Sequence, residues 1–250
     1  MHRIKALLGL FLLCGLTILS APAFAILVRP IVIELTAIGS SSTTQIEVVN
    51  DRNKPMAVEV RPKVLVLPEQ GPPVTDTPAD GDFLIFPTIA NIPAGGRQVF
   101  RVRYVGDPAI TQSKLYMFST SELPVDANPE GGKAQIEMLY SIGSVVAVRP
   151  VQGKPEISVV AVARGADKDG KPGVTVTFEN IGRTHGYVAG STLDLKSDAG
   201  WSKQLDAAAM NTKVGLGLVP ANAKRTMFVE LPDVPADGNL SGSVRIRTDQ

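Results

Sequence analysis

Beyond residue 25 the apolar positions recur at every second residue or in short unbroken runs, and the runs end at Gly, Pro, Asn or Asp. Helical periodicity is nearly absent, so the pattern is that of strands. It predicts seven strands in the first half, near residues 27–35, 44–49, 57–67, 83–86, 97–105, 114–122 and 134–148. Seven more follow, near 156–163, 173–180, 186–195, 201–205, 213–219, 225–231 and 240–247. Residues 68–82 and 124–133 are rich in Pro, Gly and Asp and read as surface loops. Ala207, Ala208 and Ala209 predict one helical turn within 206–211. The pattern restarts after Arg149-Pro150-Val151-Gln152-Gly153-Lys154-Pro155, a short hinge stiffened by proline. Seven strands suffice for a simple immunoglobulin-like sandwich. The fold class expected is therefore all-β, with two immunoglobulin-like β-sandwich domains in tandem, residues 26–149 and 150–250.

The first 25 residues follow another logic. His2, Arg3 and Lys5 precede an apolar run of 14 residues from Ala6 to Leu19, and Ala23-Phe24-Ala25 supplies the small residues that a signal peptidase needs. Residues 1–25 thus read as a signal peptide. The run is short against the roughly 20 residues that cross a bilayer, and no later segment rivals it, so the mature chain is not expected to span a membrane. A lipoprotein cleavage ahead of Cys14 is the competing reading, but bulky Leu13 stands where a small residue is expected. Cleavage after Ala25 leaves 225 residues with 23 basic and 24 acidic side chains, a formal charge of −1. Such a balance offers no footprint for nucleic acid. Cys14, the single cysteine, leaves with the signal, so the mature fold must rest on its apolar core without disulfides.

Candidate chemistry is sparse. His185, the one histidine of the mature chain, lies in Thr184-His185-Gly186 and reads as an exposed loop residue. A zinc site of several His and Cys ligands cannot be assembled from one histidine. There is no G-x-S-x-G elbow, and Gly215-Leu216-Gly217-Leu218 lacks the third glycine of a dinucleotide fingerprint and sits in a strand pattern. The expectation is a protein that is not an enzyme, with no cofactor, metal or small-molecule substrate.

One segment stands out. Residues 134–148 run for 15 positions without proline, about 50 Å if extended at roughly 3.3 Å per residue. A usual strand has about five or six residues. Alternation places Ile136, Met138, Tyr140 and Ile142 on one face and Glu137, Leu139, Ser141 and Gly143 on the other. The pattern fits an overlong edge strand awaiting a partner, which would otherwise be an aggregation hazard. It fits a long strand of the protein's own core equally well.

Several stretches, in order along nearly the whole mature chain, resemble the PapD-like periplasmic pilus-assembly chaperones. They include Pro30-Ile31-Val32-Ile33-Glu34-Leu35, Phe86-Pro87 leading to Ile92-Pro93-Ala94-Gly95-Gly96-Arg97, Leu115-Tyr116-Met117-Phe118, and Val148-Arg149-Pro150. Thr177-Phe178-Glu179-Asn180 and Asp237-Gly238 fit less strictly. The resemblance implies a periplasmic chaperone that lends a strand to pilus or fimbrial subunits lacking one of their own and delivers them to an outer-membrane usher. It implies that Ile136, Met138, Tyr140 and Ile142 enter the subunit, while by alternation Leu139 faces the chaperone's own core. It further implies an interdomain tie from Arg149, with Asp237 as its expected partner. The family anchors the subunit's terminal carboxylate with two basic residues, but this chain has Val32 and Val145 at those positions, which leaves Arg29 as the candidate anchor. The alternative reading is a two-domain immunoglobulin-like periplasmic or surface binding protein with a non-pilus client.

Overall fold

The computed structural model describes residues 26–124 and 138–246. The first nine strands are β1 (Ile26–Arg29), β2 (Val32–Thr36), β3 (Thr43–Asn50), β4 (Met56–Val64), β5 (Phe83–Phe86), β6 (Ile89–Ile92), β7 (Arg97–Tyr104), β8 (Lys114–Leu123) and β9 (Ser141–Arg149). They form a four-stranded sheet, β1-β3-β7-β5, and a five-stranded one, β2-β9-β8-β4-β6. One core lies between the sheets, with Ile46 and Phe100 contributed by the first and Val58, Phe118 and Val146 by the second. Phe83 closes one part of it edge-on against Tyr116 and Phe118, ring centroids 4.8 Å away in each case.

The single strand expected over 27–35 is two strands in different sheets. β1 pairs with β3, whereas β2 runs parallel to β9 with Val32 opposite Val145. Between them Pro30 has no N–H to donate, so the first ladder stops there. β6 was not expected; Ile89–Ile92 adds to β4 opposite Met56–Glu59.

The second set of strands is β10 (Ile157–Ala166), β11 (Pro172–Asn180), β12 (Gly186–Tyr187), β13 (Thr192–Ser197), β14 (Ser202–Leu205), β15 (Leu218–Val219), β16 (Ala223–Glu230) and β17 (Leu240–Arg245). Their sheets are β10-β11-β16, β14-β13-β17 and the pair β12-β15, around a separate core that includes Val176, Phe178, Leu193 and Val229. A helix, α1 (Ala207–Val214), replaces much of the strand expected over 213–219. Asp206 caps it by accepting from the Ala209 amide at 2.8 Å, and Met210 is buried in the core. Gly215 and Gly217 then take φ of 58° and 59°, a left-handed backbone that a strand cannot hold.

Both sandwiches use the same buried device. Asn50 ends β3 and donates through Nδ2 to the carbonyls of Lys54, Ile92 and Pro93. Asn180 ends β11 and donates to those of Thr184, Val219 and Pro220. Each buried amide thereby satisfies three carbonyls, buried or part-buried, at the end of its sandwich.

The expected surface loop at 68–82 also does more than cover the surface. Val66 and Val74 bond each other's main chain, and beyond them the Glu69 carbonyl accepts from the Thr226 amide of β16 at 2.7 Å. Arg225 of β16 donates to the Pro68 carbonyl. This segment joins the first sandwich to the open edge of the second.

Replacing Asn50 or Asn180 with Ala strands several buried and part-buried carbonyls, and each change should cost about 2–4 kcal/mol of unfolding free energy. Urea titrations of the two variants measure it; a loss under about 0.5 kcal/mol would contradict the role given to these amides.

Candidate functional site

β9 has β8 along one side, but β2 along the other only from Val145 onward. The hydrogen bonds fix which groups face which neighbour. The Tyr140 carbonyl accepts from Glu122 of β8 at 2.9 Å, and the Val145 amide donates to the Ile31 carbonyl at 2.8 Å. Even-numbered main-chain groups therefore face β8 and odd-numbered ones face the β2 side. Ser141 and Gly143 aim their amides and carbonyls where β2 does not extend, an edge that no strand among the described residues covers.

Side chains alternate the other way about. Val146 and Val148 are buried in the first core, Ser144 is fully buried and Ile142 packs against the same core. The face of Met138, Tyr140 and Ile142 is thus continuous with the sandwich interior. Beyond the end of that interior Met138 and Tyr140 stand 69% and 47% exposed. The Tyr140 ring lies under the Arg52 guanidinium, 4.9 Å from the ring centroid, and Arg52 is held by Glu122 at 2.7 Å. This contact positions the start of the free edge.

Two expectations about this segment change. Regular strand begins at Ser141, and Met138, Leu139 and Tyr140 lie ahead of it; Ile136 and the rest of 134–137 lie outside the described residues. Leu139 does not face the core. It is half exposed and belongs to none of the apolar clusters, because the even parity set by Val146 and Val148 leaves odd positions on the opposite face.

Arg29, the candidate carboxylate anchor, ends β1 in the other sheet, with its guanidinium 2.7 Å from Glu47 and 58% exposed. Val32 and Val145 share one rung of the parallel pair. Val145, with Met117 and Leu67, packs against a third apolar cluster formed by Leu65, Leu115 and Ala147 of the first sandwich and Tyr187 and Leu218 of the second.

Beside this cluster Glu34 of β2 makes the polar contact between sandwiches. Its Oε2 accepts from Arg149 Nε at 2.7 Å, and its Oε1 lies 2.9 Å from His185 Nε2 and accepts from the Tyr187 hydroxyl. Arg149 thus ties the domains through Glu34 and not through Asp237. The register places Glu34 two residues from Thr36, the rung partner of Arg149, whereas the Asp237 carbonyl is held by Arg164. His185 is fully buried and not an exposed loop residue, since the carboxylate that draws it inward comes from the other sandwich. Burial pushes the Glu34 carboxyl upward, but His185 foremost, with Arg149 and Tyr187, outweighs this and holds it at about 2. Burial and the bond to Glu34 push the Tyr187 hydroxyl well above its ordinary range.

Among solved structures, the class 5 fimbriae chaperone CfaA aligns with a TM-score of 0.53 at 10% identity, over 89% of this chain and 100% of that one. A chain of the complex between the Salmonella enterica SafB chaperone and SafA pilin aligns at 0.51 with 14% identity, over 91% and 99%. The E. coli chaperone DraB aligns at 0.50 with 16% identity, over 84% and 86%. The chain has the fold of the PapD-like fimbrial chaperones. No family model and no curated protein sequence matches it, so the likeness lies in the fold.

Within this chaperone fold the Glu34 contact sets an acid limit. The carboxyl titrates at about 2 in the folded protein against an ordinary 4.5, so its stabilisation is complete above about pH 4.5 and is lost as the pH falls towards 2. Glu34→Gln should flatten stability against pH in that window and lower stability at neutral pH. Unfolding followed from pH 7 to 2 checks this; identical acid profiles for both proteins would refute it.

Proposed function

We propose that the mature protein is a periplasmic chaperone that captures pilus or fimbrial subunits by lending them the free edge of β9 and delivers them to an outer-membrane usher. The observation that carries this reading is the edge itself. Ser141 and Gly143 present unmatched main-chain groups, while Met138 and Tyr140 project on the face where the sandwich's own core ends. A partner sandwich lacking one strand could pair with that main chain in a sequence-tolerant way and receive those side chains as an extension of its own core. Burying each would contribute on the order of 1.5–3 kcal/mol. Ile136, Met138, Tyr140 and Ile142 are the residues assigned to the subunit, with Ile142 shared with the chaperone's own core.

The export signal read in residues 1–25 supports the periplasmic location, and no helix among the described residues is long and apolar enough to cross a membrane. The Glu34 contact and the segment at 65–74 hold the sandwiches together and would keep the edge in a fixed relation to the second sandwich. Arg29 could serve as carboxylate anchor only by exchanging its bond to Glu47 for the ligand.

Replacing Met138 or Tyr140 with Glu should abolish co-purification of subunits while leaving the thermal midpoint within a few degrees, because both side chains are largely outside the core. Leu139→Glu should also fold, since that residue is half exposed, and should retain capture because it lies on the opposite face. Normal capture by both the Met138 and Tyr140 variants would overturn the proposal. An intact two-domain protein that co-purifies stoichiometrically with a non-pilus client would favour the alternative binding module.

A further inference from the structure

The outer face of the sheet β1-β3-β7-β5 has a charge that the rest of the chain does not share. Alternation turns Val28, Ile46, Val48, Phe100 and Val102 into the core, so their neighbours along each strand face outward. Register then sets Arg29 beside Glu47, Arg97 opposite Val49, Arg101 between Gln45 and Phe86, and Arg103 between Thr43 and Leu84. Four arginines against one glutamate give this face a formal charge of +3, whereas residues 26–250 carry −1 in all. Arg29 and Arg97 share Glu47, at 2.7 and 3.5 Å. Arg101 and Arg103 are exposed and pair with no carboxylate among the described residues.

Apolar side chains stand in the open among these arginines. Leu27, Leu84 and Phe86 are exposed, and Phe86, at 72%, is the most exposed large apolar residue of those described. A sheet face that meets only water carries polar residues at such positions. Apolar anchors set among arginines suit a surface that is anionic outside and apolar just beneath, which is the boundary of a phospholipid layer. Where Pro87 leads the chain out of the sheet, an open hollow of about 470 Å³ adjoins Phe86, Val99, Arg101 and Gln45. It has room for a headgroup phosphate, with the Arg101 guanidinium and the Gln45 amide as donors. A polypeptide strand is the rival occupant, but the Val99 carbonyl there already accepts from the Gln98 side chain at 2.7 Å. That bond takes up main chain which an added strand would need.

We propose that this face docks the protein reversibly on an anionic phospholipid bilayer, with Arg101 and Arg103 at the phosphates and Leu84 and Phe86 at the headgroup–acyl boundary. β9 lies in the other sheet, so docking leaves its open edge free, and lipid binding and subunit capture can each fail without deciding the other.

Flotation of the whole mature protein with vesicles tests this, using phosphatidylcholine alone and an equal mixture of phosphatidylcholine and phosphatidylglycerol. The mixture should bind at low salt at least about tenfold more tightly than phosphatidylcholine alone, and release the protein at about 0.5 M salt. The double variant Arg101→Gln/Arg103→Gln should lose at least about tenfold in binding. Lys168→Gln/Lys196→Gln removes the same charge from exposed positions of the second sandwich and should leave binding unchanged. Phe86→Ser keeps every arginine and should also weaken binding, with an unchanged thermal midpoint showing that the fold is intact. No binding to the mixture, equal binding to both vesicles, or undiminished binding by either the arginine or the Phe86 variant would overturn the proposal. Retention on immobilised polyglutamate without binding to vesicles would likewise overturn it and assign the face to an acidic polypeptide.

Discussion

The unequal pairing along the two sides of β9 is the constraint on which the rest depends. β8 accompanies it along its full length, while Pro30 ends the ladder of β1 and β2 joins only at Val32, opposite Val145. From Ser141 to Ser144, β9 is therefore paired on one side and open on the other. An open edge next to an apolar face is ordinarily a hazard, which proteins blunt by covering or shortening it. Here the edge is left uncovered among the described residues, while Arg52 and Glu122 hold Tyr140 at its start. The proposed strand lending rests on that combination: a held start and unmatched main chain at the point of contact.

The same parallel pairing also builds the joint between sandwiches. By setting β2 beside β9 it places Glu34 near Arg149, and the pair meets His185 and Tyr187 of the second sandwich. A carboxylate satisfied by three partners costs far less to bury than an isolated one, and removing any member leaves the others short. Apolar residues complete the joint through Leu65, Ala147 and Leu218, and the bridging segment adds a main-chain bond at Thr226. Edge and joint thus share one origin in the way the chain changes sheets at Pro30.

Much of this was legible in the alternation of apolar and polar residues, because that period reports local geometry directly. Most strands fell where it placed them, including β3, β5, β7 and β11. Departures occur where distant contacts decide. A strand pattern over 27–35 carries no sign of which sheet each half will join. His185 looked like a loop residue because its partner, Glu34, lies 151 positions away. Arg149 found that same carboxylate and not Asp237 for a reason of register, which sequence spacing does not reveal. Alternation separates Leu139 from Met138 but does not say which side is the interior; that depends on Val146 and Val148, buried in the first core, sharing the parity of Met138. The glycines at 215 and 217 could have warned that a strand over 213–219 would break.

The most direct measurement is residue-resolved amide exchange of the protein alone and in complex with a pilus subunit domain that lacks its own last strand. Slowed exchange on binding at Ser141 and Gly143, whose amides face the open side, is the result expected if β9 lends its edge. Unchanged exchange at both, with new protection confined to other surfaces, would contradict it.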